Sequence, residues 1–295
     1  MKEKKFILGL MGLNKLNLEQ AEKFILDAIN LGINYVDLAD IYGNGECEEL
    51  FGKVLKRNPD IRNKLIIQSK CGIREGFYDF SYDHIISCVK QSLNRLNIKY
   101  LDVLLLHRPD ILCDFDELKK ALTFLKENNL VKSFGVCNMN KAYIKLLKEK
   151  TGFDFIVNQL EFSITSTQLI DDILNMNTND ELANDKSGDA LIYCYLNNIS
   201  LQAWSPLKVS LSEGSFINNP KYAELNNYLD ELANKYDASK VCIALSFIYR
   251  LPFNITPVVG VSSINHLKDA LKSKEINLSK EEWYKLYLIA GHKLP

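Results

Sequence analysis

The sequence predicts an α/β protein: a (β/α)8 or TIM barrel, forming a single domain over residues 1–295 with an extra C-terminal helix. Three observations lead there. Short strand patterns alternate strictly with amphipathic helical stretches, which implies a parallel sheet, and eight such units in about 250 residues suggest a closed barrel. Polar or charged residues, Asp37, Tyr42, Lys70 and His107, stand at or just past the ends of separate strands, where the loops of such a barrel converge on one face.

The strand patterns are Phe6 to Leu8, Tyr35 to Leu38, Leu65 to Ser69, Val103 to Leu106, Ser133 to Val136, Phe155 to Asn158, Leu201 to Ala203 and Pro257 to Val259. Helical stretches between them include Leu18 to Leu31, Asp83 to Leu96 and Phe115 to Asn128. The first carries apolar Ala21, Phe24, Ile25, Ala28 and Ile29 on one face. Two segments break the period. Asn175 to Gly188 is polar and turn-rich and reads as a mobile loop, or a loop with a short helix, after the sixth strand. Ser279 to Ile289 opens on a Ser-x-x-Glu capping pattern and places Trp283, Leu286 and Ile289 at helical spacing. No Pro/Gly/Ser-rich linker and no internal repeat divides the chain.

Composition excludes several classes of function. The 36 basic and 37 acidic residues are interspersed, leaving a formal net charge of -1 and no single-sign field for nucleic acid or anionic lipid. The longest apolar runs fall far short of the roughly 20 residues of a membrane span. The basic, partly apolar start MKEKKFILGLMGL lacks a small-x-small cleavage site and reads as the first strand rather than a secretory signal. Seven cysteines, without CxxC spacing or neighbouring His pairs, fit a reduced, cytoplasmic chain with no structural metal.

The strings GINYVDLADIYG, IIQSKCG, LDVLLLHRPD, SFGVCNM, VNQLEFS and QAWSPL follow one another in the order and spacing of the aldo-keto reductases, which the chain resembles over nearly its full length. DIYG, SKCGI and LLLHRPD look most like a bacterial branch of general or uncharacterised members. The resemblance implies a monomeric barrel that uses NADPH, less often NADH, to reduce a small-molecule aldehyde or ketone, with Asp37, Tyr42, Lys70 and His107 as a catalytic tetrad.

The chemistry of those four can be argued independently. Hydride arriving at a carbonyl carbon leaves negative charge on oxygen, so a site must supply a proton and stabilise that charge. Tyr42 would give the proton. Lys70 would lower the phenol's pKa, Asp37 would hold Lys70 in place, and His107 would donate a hydrogen bond to the carbonyl oxygen. Taken singly, each has a structural alternative: a turn tyrosine, a solvated strand-end lysine, a core histidine. Asp40 rivals Asp37 in the same loop, and only the family spacing selects Asp37.

Cofactor contacts are carried over from the same resemblance. Cys137 and Asn138 occupy the family's Ser-Asn pair on the nicotinamide carboxamide, and Gln159 completes that contact. Cysteine is the weaker donor, so the amides would carry more of the orientation. Trp204 would stack on the nicotinamide. Ser205, Leu207 and Lys208 would approach the pyrophosphate. Gly260 and Ser262 lie at the adenosine-phosphate end, where His266 stands at the position of an arginine and Ala270 at that of an asparagine. A neutral histidine grips a phosphate dianion less well than a guanidinium does.

Phe77, Tyr78 and Phe80 form either an apolar wall for the substrate or packing over the barrel rim, and Arg108 either attracts an anionic substrate group or pairs with Asp110. Two competing functions remain from the sequence. One is a nicotinamide-nucleotide-binding sensor or partner-binding protein on the same barrel with slow turnover. The other is a metal-assisted hydrolase, which only four histidines, with one at a strand end, argue against.

Overall fold

The structure is a computed structural model that describes residues 4–261 and 263–295. Eight parallel strands form one closed barrel: β1 (Ile7–Gly9), β2 (Tyr35–Asp37), β3 (Ile66–Cys71), β4 (Leu101–Leu106), β5 (Val131–Cys137), β6 (Phe155–Glu161), β7 (Ser200–Trp204) and β8 (Thr256–Gly260). They neighbour one another in sequence order, with β8 returning beside β1. All eight expected strands are present, with ends shifted by up to three residues. The shift that matters is in β3, which runs on through Lys70 to Cys71 and so carries the lysine inside the strand.

Residue contacts divide the chain into two compact units, one of residues 7–158 with 260–264, the other of residues up to Phe6 with 159–259 and 265–295. In the first, β1 to β5 alternate with α1 (Leu18–Asn30), α2 (Glu46–Arg57), α3 (Tyr82–Leu96), α4 (Phe115–Glu127) and α5 (Lys141–Thr151). The local signals agree with the boundaries. Asn17 and Gln20 form a reciprocal capping box on α1, Asp114 accepts two amides at the start of α4, and Gly152 in a left-handed conformation closes α5. β4, LDVLLL, is almost wholly buried, as a strand covered on both faces should be. Helices α2 and α3 meet at Gly52, where an added Cβ would lie 1.9 Å from the Arg95 carbonyl oxygen.

The second unit holds α6 (Asp171–Leu174), α7 (Ala190–Leu196), α8 (Ala223–Lys235), α9 (Lys240–Tyr249), α10 (Ile264–Lys272) and α11 (Lys280–Ile289). The expected C-terminal helix is α11, with Ser279 and Glu282 in the anticipated capping box. Trp283 stacks on Phe247 at 4.6 Å between ring centroids and donates its indole N–H to the Phe247 carbonyl. Burying an indole against a ring while satisfying its one donor fixes the helix firmly. The polar segment Asn175 to Gly188 follows α6 and holds a 3-10 turn at Glu181–Ala183, and the Asp185 carboxylate gathers the amides of Ser187, Gly188 and Asp189. Among the described residues no helix is long and apolar enough to cross a membrane.

Two small antiparallel hairpins follow strand ends, Ile73–Arg74 with Phe77–Tyr78 after β3 and Lys208–Ser210 with Gly214–Ser215 after β7. In the sequence both segments read as loops. Their strands are two or three residues long, too short for an alternation to show, although the Glu75-Gly76 pair between apolar residues is a hairpin signal.

Candidate active site

Side chains on alternate positions of a strand share a face, and β2 and β3 run parallel with Tyr35 beside Ile66 and Asp37 beside Gln68. Asp37 on β2 and Lys70 on β3 therefore project from the same face. Ser69, on the opposite face, meets Glu48 of α2 at 2.6 Å. Both Asp37 and Lys70 are buried, and the Lys70 ammonium lies 2.7 Å from Asp37 Oδ2. A charge taken out of water is tolerated only when paired and hydrogen-bonded, and Lys70 uses all three of its protons: on Asp37, on the Leu38 carbonyl at 2.9 Å and on Tyr42 Oη at 2.9 Å.

Tyr42 reaches that ammonium through an unusual turn. Gly43, Asn44 and Gly45 all adopt left-handed backbone, which turns the chain directly into α2. Glycine supplies that geometry without strain, and asparagine tolerates it better than most residues. An added Cβ on Gly45 would lie 2.9 Å from Arg95 Cδ, and Arg95 is itself locked onto the buried Glu48 carboxylate at 2.8 Å. The string YGNG is thus the device that aims the tyrosine.

His107 follows β4, its backbone N–H bonded to the Cys71 carbonyl and its ring edge-on to Tyr42 with centroids 6.3 Å apart. Its buried Nδ1 has no hydrogen-bond partner among the described residues. Asp37, Tyr42, Lys70 and His107 are all brought together within residues 7–158.

The electrostatics follow from burial and charge. Burial works against a charged Lys70, but the Asp37 carboxylate overrides it and holds the ammonium above its ordinary value. Burial and the neighbouring charges of Lys70 and Arg108 push His107 down to about 3, so the ring is neutral. Tyr42 departs from expectation. Lys70 does pull the phenol down, yet desolvation outweighs it and the net shift is upward. Tyr42 is therefore a neutral phenol that keeps its proton. Asp40, the rival to Asp37, is raised to about 6, chiefly by burial, and has the Cys88 thiol beside it, while the lysine's three bonds go to Asp37, Leu38 and Tyr42.

The residues carried over for the cofactor stand as follows. Cys137 is buried at the end of β5, its thiol pushed up to about 12 by desolvation, and it accepts from Asn138 Nδ2 at 3.0 Å. Asn138 has φ 58° and also reaches the His107 carbonyl. In the second unit, Gln159 is buried on β6 and donates to Gln202, and Trp204 ends β7 half-buried. Ser205 has φ 50°, and its carbonyl accepts the Lys208 amide, so that one amide of the loop is engaged internally. Leu207 accepts the Ser215 hydroxyl through its carbonyl. Gly260 is exposed at the end of β8, His266 is exposed on α10, and Ser262 lies outside the described residues. Ala270 is buried, a packing position of α10.

A nicotinamide carboxamide needs both donors and acceptors; in the first unit the Asn138 amide has both, and in the second the Gln159 amide has both and the half-buried Trp204 indole has a face for stacking. Among the described residues no three His, Cys, Asp or Glu side chains group to hold a metal ion. Of the rim aromatics, Phe80 is core rather than wall: it is fully buried and packs on Gly72, while Phe77 and Tyr78 are exposed on the hairpin. The Asp110 carboxylate accepts the amides of Phe80 and Leu112, which ties the loop after β4 to that hairpin's base.

Comparison with known proteins agrees with the geometry. The sequence matches the Aldo/keto reductase family over residues 5–289. Oxidoreductase YdhF of Escherichia coli (strain K12) is 31% identical over 303 residues, covering 99% of this chain and 95% of that protein. A 6-dehydroglucose reductase of Agrobacterium fabrum is 30% identical, covering 88% and 84% respectively. Among solved structures, the thermostable aldo-keto reductase Tm1743, crystallised with the inhibitor epalrestat, superposes with a TM-score of 0.74 at 25% identity, over 96% of this chain and 94% of that one.

Proposed function

We propose, given that this chain belongs to the aldo/keto reductase family and is an NAD(P)H-dependent carbonyl reductase, that Tyr42 gives the proton in its reaction and that Lys70, Asp37 and His107 complete the catalytic group. The observation that carries this reading is the 2.9 Å hydrogen bond from Lys70 to Tyr42 Oη. Lysine has only donors, so the phenol oxygen accepts here and its own O–H is left to point at another acceptor, the substrate oxygen.

A nicotinamide held by the cofactor residues would supply the hydride that the carbonyl carbon receives. As charge grows on the carbonyl oxygen, Tyr42 releases its proton to it, and the resulting phenolate is stabilised by the ammonium already in contact. The high starting pKa of Tyr42 suits this timing, because the proton stays on the phenol until a stronger base forms. Asp37 keeps Lys70 charged throughout. His107, held neutral by its surroundings, donates to or orients the same oxygen without adding a competing positive charge.

Asn138, with Cys137 beside it, Gln159 and Trp204 are assigned to the nicotinamide, Ser205, Leu207 and Lys208 to the pyrophosphate, and Gly260, Ser262 and His266 to the adenosine end. We assign NADPH as the preferred cofactor, NADH as the lesser one, and a small aldehyde or ketone as substrate. The protein is taken as a cytoplasmic monomer: its seven cysteines lack CxxC spacing, and all four proposed catalytic residues come from one stretch of one chain.

Purified protein should bind NADPH and consume it, followed by loss of reduced-cofactor absorbance, with some member of a panel of aldehydes, ketones and quinones. Tyr42→Phe should keep cofactor affinity and lose on the order of 100-fold or more in turnover, since the ring preserves packing but has no proton to give. A variant as fast as the parent would remove Tyr42 from the role of donor.

A further inference from the structure

The face that presents Asp37 and Lys70 carries two more polar side chains, Tyr35 two positions before Asp37 and Gln68 two positions before Lys70. Gln68 is completely buried. A primary amide in that position is costly unless its groups are bonded, and both ends are. Its Nε2 donates to Asp37 Oδ1 at 2.6 Å, and its Oε1 accepts the Tyr35 hydroxyl at 2.8 Å.

This arrangement has one sense only. An ionised carboxylate accepts and does not donate, so the amide must turn its NH2 toward Asp37. The amide oxygen then faces Tyr35, and the Tyr35 hydroxyl holds it there. The two oxygens of Asp37 are thereby divided, Oδ1 to Gln68 and Oδ2 to Lys70. A carboxylate with a donor on each oxygen cannot rotate freely about its Cβ–Cγ bond. The oxygen that Lys70 meets is fixed in space, and through Lys70 so is the ammonium beneath Tyr42 Oη.

We propose that Gln68, oriented by Tyr35, is a positioning residue of the reductase: it sets the Asp37 carboxylate so that Lys70 is held against the Tyr42 oxygen. The proposal rests on the reading of Tyr42 as proton donor. A chain of four hydrogen bonds, Tyr35 to Gln68 to Asp37 to Lys70 to Tyr42, links the start of β2 to the reacting hydroxyl.

The test uses Gln68→Met, which keeps length and apolar volume, Tyr35→Phe, which removes one hydroxyl, and the double variant. Steady-state kinetics are read beside the 13Cζ resonance of Tyr42 in tyrosine-labelled protein, assigned by its loss in Tyr42→Phe. Gln68→Met should lower kcat about tenfold, the scale of one displaced hydrogen bond at the site, leave the cofactor KM within about twofold, and move the Tyr42 resonance and its alkaline titration. Tyr35→Phe should do the same to a smaller degree. In the Gln68→Met background it should add nothing, because its effect passes through Gln68.

An unchanged Tyr42 resonance with unchanged kcat in Gln68→Met would overturn the proposal, as would a Tyr35→Phe effect equally large in both backgrounds. Should Gln68→Met fail to fold, Tyr35→Phe decides alone: a Tyr42 resonance that does not move sinks the idea. A Tyr42 resonance that shifts in protein reducing no carbonyl would leave the positioning role standing and end the reading of Tyr42 as donor.

Discussion

At the residue scale, the site depends on three polar side chains in β3 that would each be unfavourable alone. Gln68, Ser69 and Lys70 are consecutive and buried, and each is answered by a partner on another element: Asp37, Glu48 and again Asp37. Removing one member of such a pair strands the other, which typically costs about 3–5 kcal/mol for a buried ion pair. His107 adds a pH dependence whose sign is fixed. Its pKa falls from 6.5 in the unfolded chain to about 3 in the folded one, so between those values the unfolded chain binds more protons and stability is lost as pH falls. Asp40 acts the other way, since its carboxyl rises from 3.8 to about 6 and favours the folded state as pH falls through that window. The two must be separated by mutation. His107→Gln should reduce the drop in unfolding free energy between pH 7 and pH 5 by roughly 2 kcal/mol relative to the parent, read by urea denaturation at each pH. An unaltered pH slope would mean the ring is not held neutral by its surroundings.

At the scale of elements, the turn into α2 governs where Tyr42 lies. Gly45→Ala asks a side chain to occupy φ 93° and to press on Arg95, whose guanidinium is tied to Glu48. The expected cost is about 1–3 kcal/mol of stability with a parallel fall in kcat, checked by thermal unfolding and steady-state assay. Gly12→Ala is the control. Gly12 has φ -106° and open space around its Cα, so that substitution should change stability by less than about 0.5 kcal/mol. The strands themselves were legible because β-branched and apolar runs bounded by turns are a strong local signal. The hairpins after β3 and β7 were not, because strands of two or three residues hold no period. Phe80 was open for a related reason: an aromatic in a rim loop faces either way, and only packing against Gly72 turns it inward.

At the scale of the whole molecule, a closed parallel barrel converts strand order into a site, and the proposed tetrad was legible for that reason. Asp37, Lys70 and His107 lie at or just after the ends of β2, β3 and β4, which are consecutive around the ring. The proposed determinant of cofactor choice, His266, lies further along the chain and is exposed on α10. His266→Arg, which offers a guanidinium fork in place of a ring, should raise the preference for NADPH over NADH by about tenfold in kcat/KM. An unchanged ratio would place the 2′-phosphate away from residue 266. The sequence by itself determined the alternation of elements and the barrel, which rest on local pattern, and its resemblance to the family singled out the four side chains of the proposed tetrad. Tertiary structure alone decided that Tyr42 is held above rather than below its ordinary pKa, that Gln68 faces Asp37, and that Glu48 and Arg95 brace the turn behind Tyr42. The reason is physical: desolvation and hydrogen-bond direction depend on what surrounds a side chain on every side, and most of those neighbours are distant in sequence.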